Sequence, residues 1–99
     1  MIVRAWQGHT TFENAEAYVD HLKSAVLPEI QEIPGHLGAH ILRRDLVDHV
    51  EFAVLTMWDS MDAIEQFAGD APDVAVVPPE AQALLSKYDA TVKHFYAVT

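Results

Sequence analysis

Residues 50–58, Val-Glu-Phe-Ala-Val-Leu-Thr-Met-Trp, are apolar on both strand parities. A β-strand sends alternate side chains to opposite faces of its sheet. Val50, Phe52 and Val54 therefore point one way, and Ala53, Leu55 and Met57 the other. An antiparallel sheet covered on one side alternates apolar with polar residues. This strand does not, so both faces of its sheet need cover. The last stretch repeats the pattern, with Val92, Tyr96 and Val98 opposed to Phe95 and Ala97. Burying one large apolar side chain is worth about 1.5–3 kcal/mol, so several left in water forfeit on the order of 10 kcal/mol. A small domain has only about 5–15 kcal/mol in total. With 99 residues the chain fits one domain, residues 1–99, and has little left to build a second layer. A second copy packed sheet to sheet across a twofold axis meets the need, so a homodimer is expected.

The rest of the chain supplies the helices for one face. Residues 2–8 read as a strand ended by Gly8, and Thr10 with Glu13 has the spacing of a capping box. Ala15, Val19, Leu22, Val26, Ile30 and Ile33 then recur on one helical stripe, interrupted by Pro28 and ended by Pro34-Gly35. Residues 37–44 suit a second strand, 45–49 a connection, and 50–58 the third. Asp59 or Ser60 caps a second helix with Met61, Ile64, Phe67 and Ala68 on its buried face, stopped by Gly69. Short helices are expected over 70–77 and 80–88, and a last strand over 90–98. The order is β-α-β-β-α-β, an α+β fold of ferredoxin-like topology with a four-stranded antiparallel sheet.

Charge and composition exclude several function classes. Fifteen Asp and Glu oppose six Lys and Arg, and the only adjacent basic pair is Arg43-Arg44. Nucleic acid and anionic membrane are therefore not expected partners. With no cysteine there is no disulfide framework, thiolate zinc site or thiol nucleophile. The first residues lack a secretory signal and no apolar run is long enough to span a bilayer, which points to the cytoplasm. Nucleophile elbows, phosphate-binding glycine loops and dinucleotide fingerprints are absent.

The six His are the candidates for acid–base chemistry. His36 and His40 stand four apart, but on a loop and strand, and no metal site is expected from them. His9, His21 and His49 read as solvent-facing residues near element ends. His94 sits mid-strand among apolar residues, on the parity of Val92 and Tyr96. A buried imidazole there is either a proton acceptor or a core histidine with a fixed partner. Trp58 is a packing anchor or a pocket wall. Arg4 and Trp6 share one parity of the first strand and Gln7 takes the other, with Glu51 a cross-strand partner for Arg4.

Leu55-Thr56-Met57-Trp58-Asp59-Ser60, Ala63-Ile64, Phe67-Ala68-Gly69 and Val92-Lys93-His94-Phe95-Tyr96 resemble the antibiotic biosynthesis monooxygenase (ABM) superfamily, as do Pro34-Gly35 and Arg43-Arg44. The resemblance covers nearly the whole chain. It implies a dimeric α+β barrel with a pocket between sheet and helices in each subunit. Members include cofactor-independent oxygenases of polyketide anthrones, quinol oxygenases and heme-degrading oxygenases. The heme branch uses an Asn, a Trp and a His ligand. The matching positions here are Gln7, Phe67 and Val76 or Val77, so the axial His is missing and heme is not expected. The resemblance thus implies a cofactor-independent monooxygenase acting on a planar phenolic, quinol or anthrone-type molecule. His94 would be its base and Trp58 a pocket wall, with Gln7, Phe67, Tyr96 and His40 near the substrate. The alternatives are a non-enzymatic dimer that binds a hydrophobic small molecule, and a heme-binding relative.

Overall fold

The longest pairing in the molecule joins β1 (Ile2–Thr10) to β3 (Val50–Trp58), antiparallel and unbroken from Ile2↔Trp58 to Thr10↔Val50. The computed structural model describes residues 1–99. β2 (His36–Asp45) pairs with the other edge of β3, with an irregularity between His36 and Gly38. The free edge of β1 carries two short strands end to end. β4 (Leu85–Tyr88) lies opposite Gly8–Thr10, and β5 (Lys93–Tyr96) opposite Ile2–Ala5. The sheet order β2-β3-β1 with β4 and β5 beside β1 is the ferredoxin-like arrangement.

Two expectations about the C-terminal third are corrected. Residues 80–88 do not form one helix. α4 (Pro79–Leu84) ends as Leu85 turns extended, because the edge of β1 offers a better partner. There Thr10 Oγ1 donates to the Leu84 carbonyl and Ser86 Oγ donates to the His9 carbonyl at 3.1 Å. Four expected strands thus become five. Residues 70–77 are not helical either. The Val92 amide donates to the Asp73 carbonyl at 2.8 Å and the Ala75 amide to Ala90 at 2.9 Å, so this segment runs beside residues 90–92.

The helices follow local chemistry. Thr11, not Thr10, caps α1 (Phe12–His21), its Oγ1 accepting from the Asn14 amide at 3.2 Å, while Thr10 completes β1. After His21 the helix widens into a π turn over Leu22–Val26, where the Leu27 amide bonds the Leu22 carbonyl, and then resumes as α2 (Leu27–Gln31). Pro28 explains the turn. It has no N–H to donate and its ring crowds the carbonyl four residues back. Ser60 caps α3 (Met61–Ala68), with Oγ accepting from the Ala63 amide at 3.2 Å.

All four helices lie on the face shown by the even residues of β1 and β3. Two clusters fill the space beneath them. Tyr18, Leu22, Val50 and Phe52 pack at one end, and Ile2, Ile30, Trp58 and Ile64 at the other. The opposite face carries Ala5, Ala53, Leu55 and Met57 without a covering helix, and Leu42 and Phe95 stand about half exposed there. No helix is long and apolar enough to cross a membrane.

Candidate functional site

Between the two clusters the sheet and helices separate and leave a narrow cleft with a free volume of about 70 Å³. β1 and β3 form its floor with Arg4, Trp6, Val54 and Thr56. The helical segment from Tyr18 to Ile30 forms one wall. Phe67 of α3 and the Val76-Val77-Pro78 stretch form the other. The lining is largely apolar, so the few polar groups decide what can bind.

Arg4 is the cation of the cleft and is only 5% exposed. Its position on β1 follows from strand parity, which turns it under the helices with Ile2. Its guanidinium donates to the Pro72 carbonyl and, at 3.3 Å, to the Val74 carbonyl, and its carbon lies 5.8 Å from the Phe67 ring centre. The 70–77 segment lies within reach because it runs beside residues 90–92. Nη1 also lies 3.2 Å from His94 Nε2. A guanidinium only donates, so Nε2 accepts and the ring proton sits on Nδ1, 3.2 Å from Asp73 Oδ1. Burial pulls the Arg4 pKa below its ordinary value, and the Asp73 carboxylate opposes that shift. The Arg4–Glu51 pair expected from the sequence does not form. Glu51 faces the opposite side and pairs with Arg44 at 3.1 Å.

The other polar groups come from the helices and β1. Burial pushes the Tyr18 phenol well above its ordinary pKa. Trp6 lies between Tyr18 and Tyr88, and its Nε1 donates to the Asp89 carbonyl at 2.8 Å. Gly8 permits this packing, since a Cβ there would stand 2.5 Å from the indole. His21 lies at the end of α1 with its ring against Tyr18, centroids 6.5 Å apart. Its Nε2 is buried and has no hydrogen-bond partner.

The residues singled out from sequence divide sharply. Phe67 lines the cleft, as do Val76 and Val77. Trp58 is fully buried behind the wall, with Nε1 donating to Thr56 Oγ1 at 2.8 Å and its ring 6.3 Å from Phe67. His94 stands behind Arg4 with both ring nitrogens engaged, and it does not line the cleft. Gln7 and His40 lie on the opposite face, because Gln7 pairs with Ala53 and His40 with Leu55 on that parity. Tyr96 is 70% exposed at the sheet margin. His9 and His49 are not isolated surface residues but bond each other at 3.1 Å, with His49 also bonded to Asp48. No cluster of metal-ligating side chains is present. Sequence reasoning missed His21 and Tyr18 as cleft residues. The signal for His21 was its spacing of three from Tyr18, which puts the two on one helical face.

The sequence profile of the antibiotic biosynthesis monooxygenases matches residues 1–72. The chain belongs to this family. No curated protein matches it at the sequence level. Solved ABM folds resemble it over their whole length. An antibiotic biosynthesis monooxygenase shares 17% identity at TM-score 0.64, covering 100% of each chain. SnoaB from Streptomyces nogalater, a cofactor-independent oxygenase, shares 16% identity at TM-score 0.66, covering 99% of this chain and 94% of that one. MhuD, a heme-degrader from Mycobacterium tuberculosis with two hemes in its active site, shares 17% identity at TM-score 0.61, covering 100% and 97%. These identities speak for the fold.

The expectation of a site without a cofactor, with heme set aside, is corrected by this comparison. The ABM fold that this chain shares holds heme or manganese protoporphyrin in MhuD and works without a cofactor in SnoaB. The cleft residues meet heme on one count, because the free Nε2 of His21 is of the kind that ligates iron. The missing His at Val76 or Val77 therefore does not remove imidazole from the cleft.

Proposed function

We propose that this ABM protein is an oxygenase that binds a planar, electron-rich aromatic molecule with an ionisable hydroxyl in the cleft beside Arg4. The observation that carries the reading is a buried guanidinium at the floor of a largely apolar cavity. A phenol or enol gains reactivity toward O2 when it becomes an anion. A fixed cation in a water-poor site stabilises such an anion far better than bulk water does. The Phe67 and Trp6 faces suit a flat ring. In this reading His94 acts through Arg4, holding the guanidinium against the 72–74 carbonyls, rather than touching the substrate.

The test is O2 consumption with a panel of quinols and anthrones. The unsubstituted protein should turn over at least one class, and Arg4→Met should lose it. Turnover unchanged in Arg4→Met ends the reading.

The protein works as a homodimer in this proposal, with the uncovered sheet faces packed together. A second reading, heme binding, is favoured by the unpartnered His21 Nε2. A hemin titration separates the two. A shifted Soret band at stoichiometric heme, lost in His21→Leu, would support heme.

A further inference from the structure

We infer that His21 is the second polar anchor of the cleft and accepts a hydrogen bond from a hydroxyl of the bound aromatic molecule. This rests on the proposed reading of the cleft and adds the residue that recognises the ligand's hydroxyl. Buried polar atoms in folded proteins are almost always bonded, and one that is not calls for a reason. His21 Nε2 is such an atom, and it belongs to a residue lining the cavity. Its ring lies near-parallel to the Tyr18 ring, offset with centroids 6.5 Å apart. Nothing fixes its tautomer, and Nε2 is free to accept. His21 also lines the outer cleft, where Glu29 and Glu80 stand. The ligand is thus a neutral hydroxylated aromatic. An anionic one would meet two carboxylates on entry.

Two compounds of one shape test this. β-Naphthol and β-methylnaphthalene differ only in a hydroxyl replacing a methyl. The unsubstituted protein should bind the naphthol about tenfold more tightly, a ratio equal to about 1.4 kcal/mol. In His21→Leu the ratio should fall to about one, with the affinity for β-methylnaphthalene kept. In the unsubstituted protein the Nε2 nitrogen resonance of His21 should move with naphthol and not with the methyl compound. That measurement stands even if the variant folds poorly. Binding of both compounds with the ratio unchanged in His21→Leu, or with a silent His21 resonance, overturns the role of His21 and leaves the cleft reading intact. Binding of neither compound overturns both.

Discussion

His94 Nε2 accepts from Arg4 Nη1 across 3.2 Å, and its Nδ1 faces Asp73 at 3.2 Å. Both ring nitrogens are committed, so the imidazole links a buried cation to a surface carboxylate. Removing it leaves one guanidinium donor without a partner, which costs about 1–3 kcal/mol for a buried group. His94→Ala should therefore lower the unfolding midpoint in urea by a corresponding amount. Turnover should fall through a looser Arg4, and adding His94→Ala to Arg4→Met should cause no further loss. Additive losses in the double variant would show that His94 acts on its own.

Tyr18 governs alkaline stability. Burial raises its phenol pKa in the folded chain, so the native state keeps the proton after the unfolded chain has lost it. Below about pH 10, the ordinary tyrosine value, its contribution is fully present. Above that value, stability falls as pH rises. Urea midpoints for the unsubstituted protein should fall steadily from about pH 10 upward. Tyr18→Phe should flatten that part of the profile. Equal slopes for the two proteins would contradict the burial effect.

Gly8 is set by the Trp6 ring, which a Cβ would meet at 2.5 Å. Gly8→Ala should push the indole off its Asp89 acceptor and narrow the cleft. Overpacking of this kind costs about 1–3 kcal/mol. A lower melting temperature, altered tryptophan emission and weaker binding of an aromatic probe should appear together.

The uncovered sheet face gives the dimer its test. Phe95 is 55% exposed in the single chain, so Phe95→Glu should leave the protomer folded. Sedimentation should show the unsubstituted protein at about twice 11.0 kDa and the variant at the single-chain mass. An unsubstituted protein that stays at the single-chain mass at micromolar concentration sinks the dimer.

Much of the framework was legible from local pattern. β3 runs over 50–58 as read, because its β-branched run sits between a loop and a Ser cap. The ferredoxin-like order follows from the sequence of apolar periods. What was not legible depended on distant partners. Ala83-Leu84-Leu85 looks helical until the edge of β1 pulls Leu85 into a strand. Residues 70–77 look helical until residues 90–92 lie beside them. The same limit governs the site. Strand parity put Gln7 on the face away from Arg4 and Trp6, yet the family's pattern was carried onto it. The Arg4–His94 contact joins residues at opposite ends of the chain, and no local spacing announces it.

His21 and Ile30 both border the cleft, although they stand nine residues apart. At 3.6 residues per turn, that separation in a regular helix puts two side chains half a turn out of phase. The wide turn over Leu22–Val26 adds one residue to the coil and takes up about 100° of that difference, so both side chains reach the cleft. Deleting any one residue of that turn should yield a protein of near-normal helix content whose cleft has lost either its imidazole or its greasy far end. A lone proline, by forcing the coil to loosen, thus decides which side chains a guest molecule meets.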